Sequence, residues 1–197
     1  MSDESDFIQT RMDELRGIIL VSYDWKNWER RAKREANYIL PYINKTSVVI
    51  DYGCGIGRLH SYLAPHCKLI IAVDVNCEML YFAQLRNRNL KNVIYTSKLD
   101  VVKDNIADFC IGILFFQHLE KTTFDEVMNN IVRVLKPNGR LLACNTISCY
   151  DLDMEGIMKY YGFKIEKKWK HPQEVIQKTP KGKIRWIDEY VLGKLKK

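Results

Sequence analysis

The chain has 197 residues, 47% hydrophobic and 28% charged, the balance of a globular chain with one substantial core and no apolar run near the ~18 residues of a membrane span. Its net charge of +7 is uneven: from Lys159 onward there are 12 Lys or Arg against four Asp or Glu, which fits either a solvated face or an anion-binding segment. The six cysteines form no C-x-x-C pair, which argues against a zinc site or a disulfide framework. With an acidic, polar start from Met1 to Asp6, this predicts reduced thiols in a cytoplasmic protein.

Residues 7–20 carry Ile8, Met12, Leu15 and Ile19 at helical spacing. Ser22-Tyr23-Asp24 suits a helix start with Asp24 as N-cap. Residues 25–40 then read as a second helix, stopped at Pro41, with residues 30–34 on its wet face and Trp25, Trp28, Ala32, Ala36 and Ile39 turned inward. Next comes a β-branched run, Val48-Val49-Ile50, which favours a buried strand. It breaks into Asp51-Tyr52-Gly53-Cys54-Gly55-Ile56-Gly57-Arg58, and a helix over 58–64 follows before Pro65. Strand, glycine turn and helix make up a nucleotide-binding βα unit. Glycines let the backbone turn sharply and approach a ligand, and the helix start offers free N–H groups. The spacing is G-x-G-x-G, and Arg58 stands where the third glycine of a dinucleotide site belongs. Asp51 would also sit badly beside a pyrophosphate, but it suits a ligand with an ammonium group. Residues 69–74 form a second apolar strand ending in Asp74. That acid lies 21 positions after Gly53, near the ~20 of a ribose-binding acid. Its carboxylate can hold a 2′,3′-diol through two hydrogen bonds.

The pattern resembles motif I of the class I S-adenosylmethionine-dependent methyltransferases, (D/E)-x-G-x-G-x-G, with the acid that follows the second strand. A further stretch, Leu135-Lys136-Pro137-Asn138-Gly139-Arg140-Leu141, is similar to the family's L-K-P-G-G-x-L, with Asn138 replacing a glycine; Asn tolerates a left-handed backbone well. The resemblance spans about residues 45–192. It implies an α/β, Rossmann-like fold: a seven-stranded, mostly parallel sheet with an antiparallel late strand, helices on both faces and an N-terminal helical lid. The chain is then one methyltransferase domain over 1–197, with a cap over 1–44 and a cofactor core over 45–197. The implied cofactor is S-adenosylmethionine, held by Asp51, Gly53, Cys54, Gly55, Gly57 and Asp74, with Val75 and Met79 flanking the adenine. A lid would bring Tyr23 and Trp25 to the acceptor; plain packing of Trp25 on Trp28 accounts for the tryptophans equally well.

Residues 78–87 read as a helix and 92–96 as the third strand. The family often places an acid just after this strand to meet the adenine amino group. Here Asp100 falls one residue late, which hands that contact to backbone groups of Lys98 and Leu99. Residues 108–118 are the fourth strand and its end, with Phe115 toward the cofactor, Gln117 toward the acceptor and His118 at the strand's carboxyl end. A sulfonium methyl is already electrophilic, so a base is needed only for a protonated acceptor. His118 is the titratable group placed for that role, as catalytic base or orienting donor; the alternative is a histidine that packs or caps the next helix. His60 and His66 read as surface or packing residues. Phe116-Gln117-His118 stands where base-amino methyltransferases carry N/D-P-P-Y/F. Thr123 to Glu126 fits a capping box for a helix running to Leu135. Residues 136–139 make a turn, 140–144 the fifth strand, and 151–161 a helix ending at Gly162. Residues 163–169 and 184–192 are two late strands joined by a basic loop.

The expected activity is methyl transfer to an oxygen or nitrogen of a small molecule, such as a sugar or nucleotide-linked metabolite, with no membrane partner. The alternatives are RNA or protein methylation through the basic C-terminal segment, and a non-catalytic cofactor-binding subunit.

Overall fold

The computed structural model describes residues 2–20, 25–147, 150–179 and 182–196, with side chains over 6–15, 25–147, 150–172 and 186–196. Its centre is a seven-stranded sheet. The strands are β1 (Val48–Tyr52), β2 (Leu69–Val73), β3 (Val93–Thr96), β4 (Ala107–Ile113), β5 (Leu135–Thr146), β6 (Phe163–Thr179) and β7 (Gly182–Leu195), in the order β3-β2-β1-β4-β5-β7-β6. β1 to β5 pair in parallel, and β7 lies antiparallel between β5 and β6. The helices are α1 (Ser2–Leu20), α2 (Trp25–Ile39), α3 (His60–Leu63), α4 (Cys77–Arg86), α5 (Lys121–Val134) and α6 (Met154–Tyr160).

Both faces of the central strands are covered, so side chains of alternate residues enter different cores. Val48, Ile50 and Tyr52 pack with Met128, Ile131 and Met158 of α5 and α6. Val49 packs on the other face with Ala32, Ala36 and Ile39 of α2 and with Leu59 and Leu63. α5 shows why the sequence folds this way: its buried residues are Phe124, Val127, Met128, Ile131 and Val134, one stripe at helical spacing. Each large side chain fully withdrawn from water contributes about 1.5–3 kcal/mol.

Several local expectations change. The helix after the glycine turn is cut to His60–Leu63, because Gly53, Gly55 and Gly57 all hold left-handed backbone (φ 69°, 53° and 70°) and turns persist through Leu59. α5 starts at Lys121 after Glu120, which makes no side-chain cap bond, so the Thr123 capping box lies inside the first turn and caps nothing. The expected basic loop is instead paired backbone, since β6 and β7 stay paired out to Thr179↔Gly182, with register shifts between Ile165 and Lys167 and between Pro172 and Ile176. Asn138 (φ 66°) and Gly162 (φ 87°) take the left-handed positions assigned to them. Asp24 lies outside the described residues.

Among the described residues, α2 buries Trp28, Ala32, Ala36 and Ile39 in the core, and Leu15 of α1 packs with Trp28, Ile56 and Phe82. The Arg11 guanidinium also forks onto Glu78 of α4, at 2.8 and 2.9 Å.

Candidate cofactor and active site

The strand order reverses between β1 and β4, and in open α/β sheets ligands bind in the crevice at the carboxyl ends there. A cavity of about 420 Å³ lies at that place. Its wall comes from three segments: Asp51 to Gly55 with Arg58 and Leu59, Asp74 to Asn76 with Met79, and Ile113 to Phe115 with His118 and Leu119.

The turn after β1 is tied to β2. The N–H groups of Gly53 and Cys54 both donate to the Val73 carbonyl, at 2.8 and 3.0 Å. Asp74 then closes the loop with its own carboxylate: Oδ2 accepts from the Gly55 N–H at 2.8 Å and Oδ1 from the Asn76 N–H at 3.0 Å. Burial raises the Asp74 pKa, the two N–H groups oppose that, and nearby Asp51 adds to it, leaving a net rise. An ionised carboxylate offers about four acceptor sites, so each oxygen keeps capacity for a ligand. Asn76 caps α4 by accepting from the N–H groups of Glu78 and Met79.

Asp51 is 5% exposed, and its Oδ2 lies 3.1 Å from Nε2 of His60. The thiol of Cys54 is held protonated, because burial and the carboxylates of Asp51 and Asp74 push its pKa well up; it is no nucleophile here. Arg58 is ion-paired with Glu35 of α2. Glu35 also accepts from Arg31 at 2.9 Å and from the Tyr190 hydroxyl at 2.7 Å.

The third wall segment is strained. Leu114 holds φ 57°, a costly conformation for a residue with a Cβ and one that gathers at functional sites. The strain points Phe115 under the glycine turn, where a Cβ on Gly53 would meet its Cδ2 at 2.3 Å. His118 ends a short 3-10 turn, Phe116–His118. It is exposed at the rim, edge-on to Tyr150 at 5.6 Å, and surrounding atoms lower its pKa by burial.

Asp51, Gly53, Cys54, Gly55, Asp74, Val75, Met79, Phe115 and His118 therefore share one cavity. Other expected residues do not reach it. The Lys98 N–H donates to Thr96 Oγ1, and the Lys98 carbonyl accepts from the same hydroxyl; the Leu99 side chain is buried, and its carbonyl accepts from Arg133. The Lys98 N–H and carbonyl and the Leu99 carbonyl thus have partners within the protein. The Gln117 amide accepts from the Thr146 N–H at 2.7 Å and so turns from the cavity. Trp25 stacks on Trp28 at 5.0 Å with Arg86 above both. The Cα–Cβ direction of Gly57 aims at His60 and Asn87. Tyr23 lies outside the described residues. Sequence reasoning missed Arg58, Leu114 and Leu119 on the wall and His60 and Glu35 behind it; only a buried charge in an amphipathic helix hinted at Glu35.

Comparison with known proteins agrees with this geometry. Residues 50–143 match the family described as a methyltransferase domain. A methyltransferase of Schizosaccharomyces pombe, named as uncharacterised, is 29% identical over 111 residues, covering 50% of this chain and 38% of its own. A methyltransferase-like protein of the same yeast is 35% identical over 106 residues, covering 53% and 40%. The chain thus spans about two fifths of the length of these relatives. The N-methyltransferase NodS of Bradyrhizobium japonicum, solved with S-adenosyl-L-homocysteine, shares the fold with a TM-score of 0.68 at 16% identity over 86% of this chain and 88% of that one. The matched residues hold the glycine turn, Asp74 and the β4 rim that build the cavity, so over residues 50–143 the chain is similar to a methyltransferase domain, on a fold it shares with NodS.

Proposed function

We propose that this protein binds S-adenosylmethionine in the cavity and transfers its methyl group to an oxygen or nitrogen of a small molecule. The observation that carries the reading is the pair of carboxylates, Asp51 and Asp74, at the carboxyl ends of adjacent strands with a glycine turn between them. The residues fit the cofactor. Asp74 has acceptor capacity left for a ribose diol, and Asp51 uses Oδ2 on His60, leaving Oδ1 for an ammonium. The 420 Å³ volume lies within the ~300–1,000 Å³ of small-molecule sites. NodS, of like fold, was solved with the demethylated product.

When bound, the cofactor supplies an electrophilic methyl on a sulfonium. The chain's part is to orient and to exclude water. Asp74 anchors the ribose and Asp51 the amino-acid end, while Val75 and Met79 line the adenine side. Phe115, Leu114 and Leu119 give an apolar wall on the acceptor side. His118, at the rim, orients a hydroxyl or amine or takes its proton.

A second reading, RNA as acceptor, has its own support. β7 last pairs with β5 at Thr146↔Asp188, whereas its pairing with β6 runs on to Gly182. A two-stranded ribbon therefore rises from the carboxyl end of β5, on the rim that carries the cavity. Lys164, Lys167, Lys168 and Lys170 on β6 are exposed.

The test is a panel of acceptors, small molecules and RNA, incubated with methyl-labelled cofactor. Label on a small molecule supports the first reading and label on RNA the second. Calorimetry that finds no binding of S-adenosylmethionine, or tighter binding of NAD, removes both.

A further inference from the structure

We propose that His60 is a positioning residue for the cofactor site, holding Asp51 from behind and reserving one carboxylate oxygen for the ligand's ammonium. The inference rests on the cofactor reading above and deepens it.

His60 is fully buried at the start of α3 and does not line the cavity. Its Nε2 lies 3.1 Å from Asp51 Oδ2. An ionised carboxylate only accepts, so Nε2 is the nitrogen that carries hydrogen. Asp51, on the next strand position from the α5 and α6 core, is itself almost closed to water at 5% exposure. A buried carboxylate without a donor is costly, and Arg58, the nearby cation on the wall, is engaged by Glu35. His60 is thus a side-chain partner of Asp51 that sets its direction.

On the ring's other side Nδ1 lies 3.4 Å from the Tyr95 hydroxyl, whose one hydrogen goes either to this nitrogen or to the Ala83 carbonyl at 3.2 Å. Asn87 closes the pocket by donating from Nδ2 to the carbonyls of Gly57 and Ala83, at 3.1 and 3.0 Å. Gly57 makes room for both groups: a Cβ there would stand 2.5 Å from His60 Nδ1 and 2.6 Å from Asn87 Nδ2. The last glycine of the turn therefore serves the histidine, while the first two face the cavity. The ligand's ammonium meets an oxygen whose direction is set through β1, α3 and β3 together.

The test uses the full chain and S-adenosylhomocysteine, titrated calorimetrically, so that no turnover is needed. His60→Gln places an amide N–H near the position of Nε2 and is expected to bind within about threefold of the unsubstituted chain, whereas His60→Leu loses at least about tenfold, the scale of one hydrogen bond to a charge. In an Asp51→Asn background the leucine substitution is expected to cost less than about twofold, because residues acting through one contact are non-additive. Unchanged affinity in a folded His60→Leu, or an undiminished loss in the Asp51→Asn background, overturns the proposal. If His60→Leu does not fold, His60→Asn decides: its shorter amide cannot reach Asp51, and affinity equal to that of His60→Gln overturns the proposal. An unsubstituted chain that fails to bind removes the cofactor reading first, and this inference with it.

Discussion

At the scale of the residue, Asp74 does two things with one carboxylate. It ties the Gly55 and Asn76 N–H groups, and it keeps lone pairs toward the cavity. Asp74→Ala removes the loop's tie and the ribose acceptors together. Calorimetry should show cofactor affinity falling at least about tenfold, given ~1.5–3 kcal/mol for each bond to a charged group. His118 makes a separate prediction. The Gln117 Oε1 accepts from the Thr146 N–H, so its NH2 faces His118 Nε2 at 3.3 Å and favours the neutral ring. Burial lowers the His118 pKa below its ordinary 6.5. Activity that needs the neutral ring is then complete at neutral pH and falls only as pH drops through a value under 6.5. His118→Ala should lower kcat by about 10²-fold in a pH-rate profile at saturating cofactor, with binding of S-adenosylhomocysteine unchanged. Asp51, Asp74 and the glycines were legible because their spacing lies within one βα unit. His60 was not, because eight residues, the end of β1 and the turn, separate it from Asp51 and only the fold closes that gap. Thr96 and Arg133 likewise bond backbone groups of Lys98 and Leu99 through the fold, which the sequence does not reveal.

At the scale of the element, α2 binds the cavity wall to the far side of the sheet. Its Glu35 is 0% exposed and meets Arg58 beside the glycine turn, Arg31 one helical turn away and the Tyr190 hydroxyl on β7. Asp188 of β7 completes the cluster, with Arg31 at 2.8 Å and Thr146 at 3.0 Å. Burial alone would push the Glu35 carboxyl up, but Arg58 and Arg31 outweigh it and hold the pKa down at about 2, against an ordinary 4.5. Folding therefore releases a proton from Glu35 at intermediate pH. Its contribution is full above 4.5 and is lost as pH falls toward 2, by about 3 kcal/mol in all. Glu35→Gln takes the carboxylate from Arg58 and leaves Arg31 with Asp188, and should destabilise by about 3–5 kcal/mol, read as a lower urea midpoint at neutral pH. The variant should also lose less stability than the parent between pH 4.5 and 2. The amphipathic stripe of α2 was plain in sequence, and with it the helix. Trp28 and Ala32, turned inward by that stripe, pack into the core, while the ion pair of Glu35 with Arg58 left no mark in the sequence. Strand periodicity likewise gave β1 to β5 in order, but it stopped β6 and β7 short, because alternation with no core to face leaves no sequence mark.

At the scale of the molecule, charge and topology pull the acceptor question in two directions. The residues from Lys159 onward carry an excess of eight positive charges and the rest an excess of one negative. Most of that cationic segment lies on β6 and β7, with the ribbon above the cavity-bearing rim. Yet β6 is the outermost strand of the sheet, and exposed lysines on an edge strand guard against pairing with another chain. Two are also already matched: Lys168 pairs with Glu155 and Glu189, at 3.1 and 3.3 Å, and Lys170 with Glu189 at 3.8 Å. Lys164 and Lys170 separate the two explanations. With a small-molecule acceptor, Lys164→Ser with Lys170→Ser leaves cofactor affinity and turnover within about twofold, as for surface changes distant from the site. Light scattering should then show more self-association, because the edge has lost its guard. If the exposed edge of β6 holds RNA, single-stranded RNA binds the parent chain, and log K falls against log salt by about 0.7 for each phosphate neutralised. The double substitution would then flatten that slope and raise KM for the RNA acceptor while the affinity for S-adenosylhomocysteine stays put. A flat salt dependence, or no RNA binding at low salt, leaves the edge-guarding role as the reason for the charge and assigns the acceptor to the apolar wall of Leu114, Phe115 and Leu119.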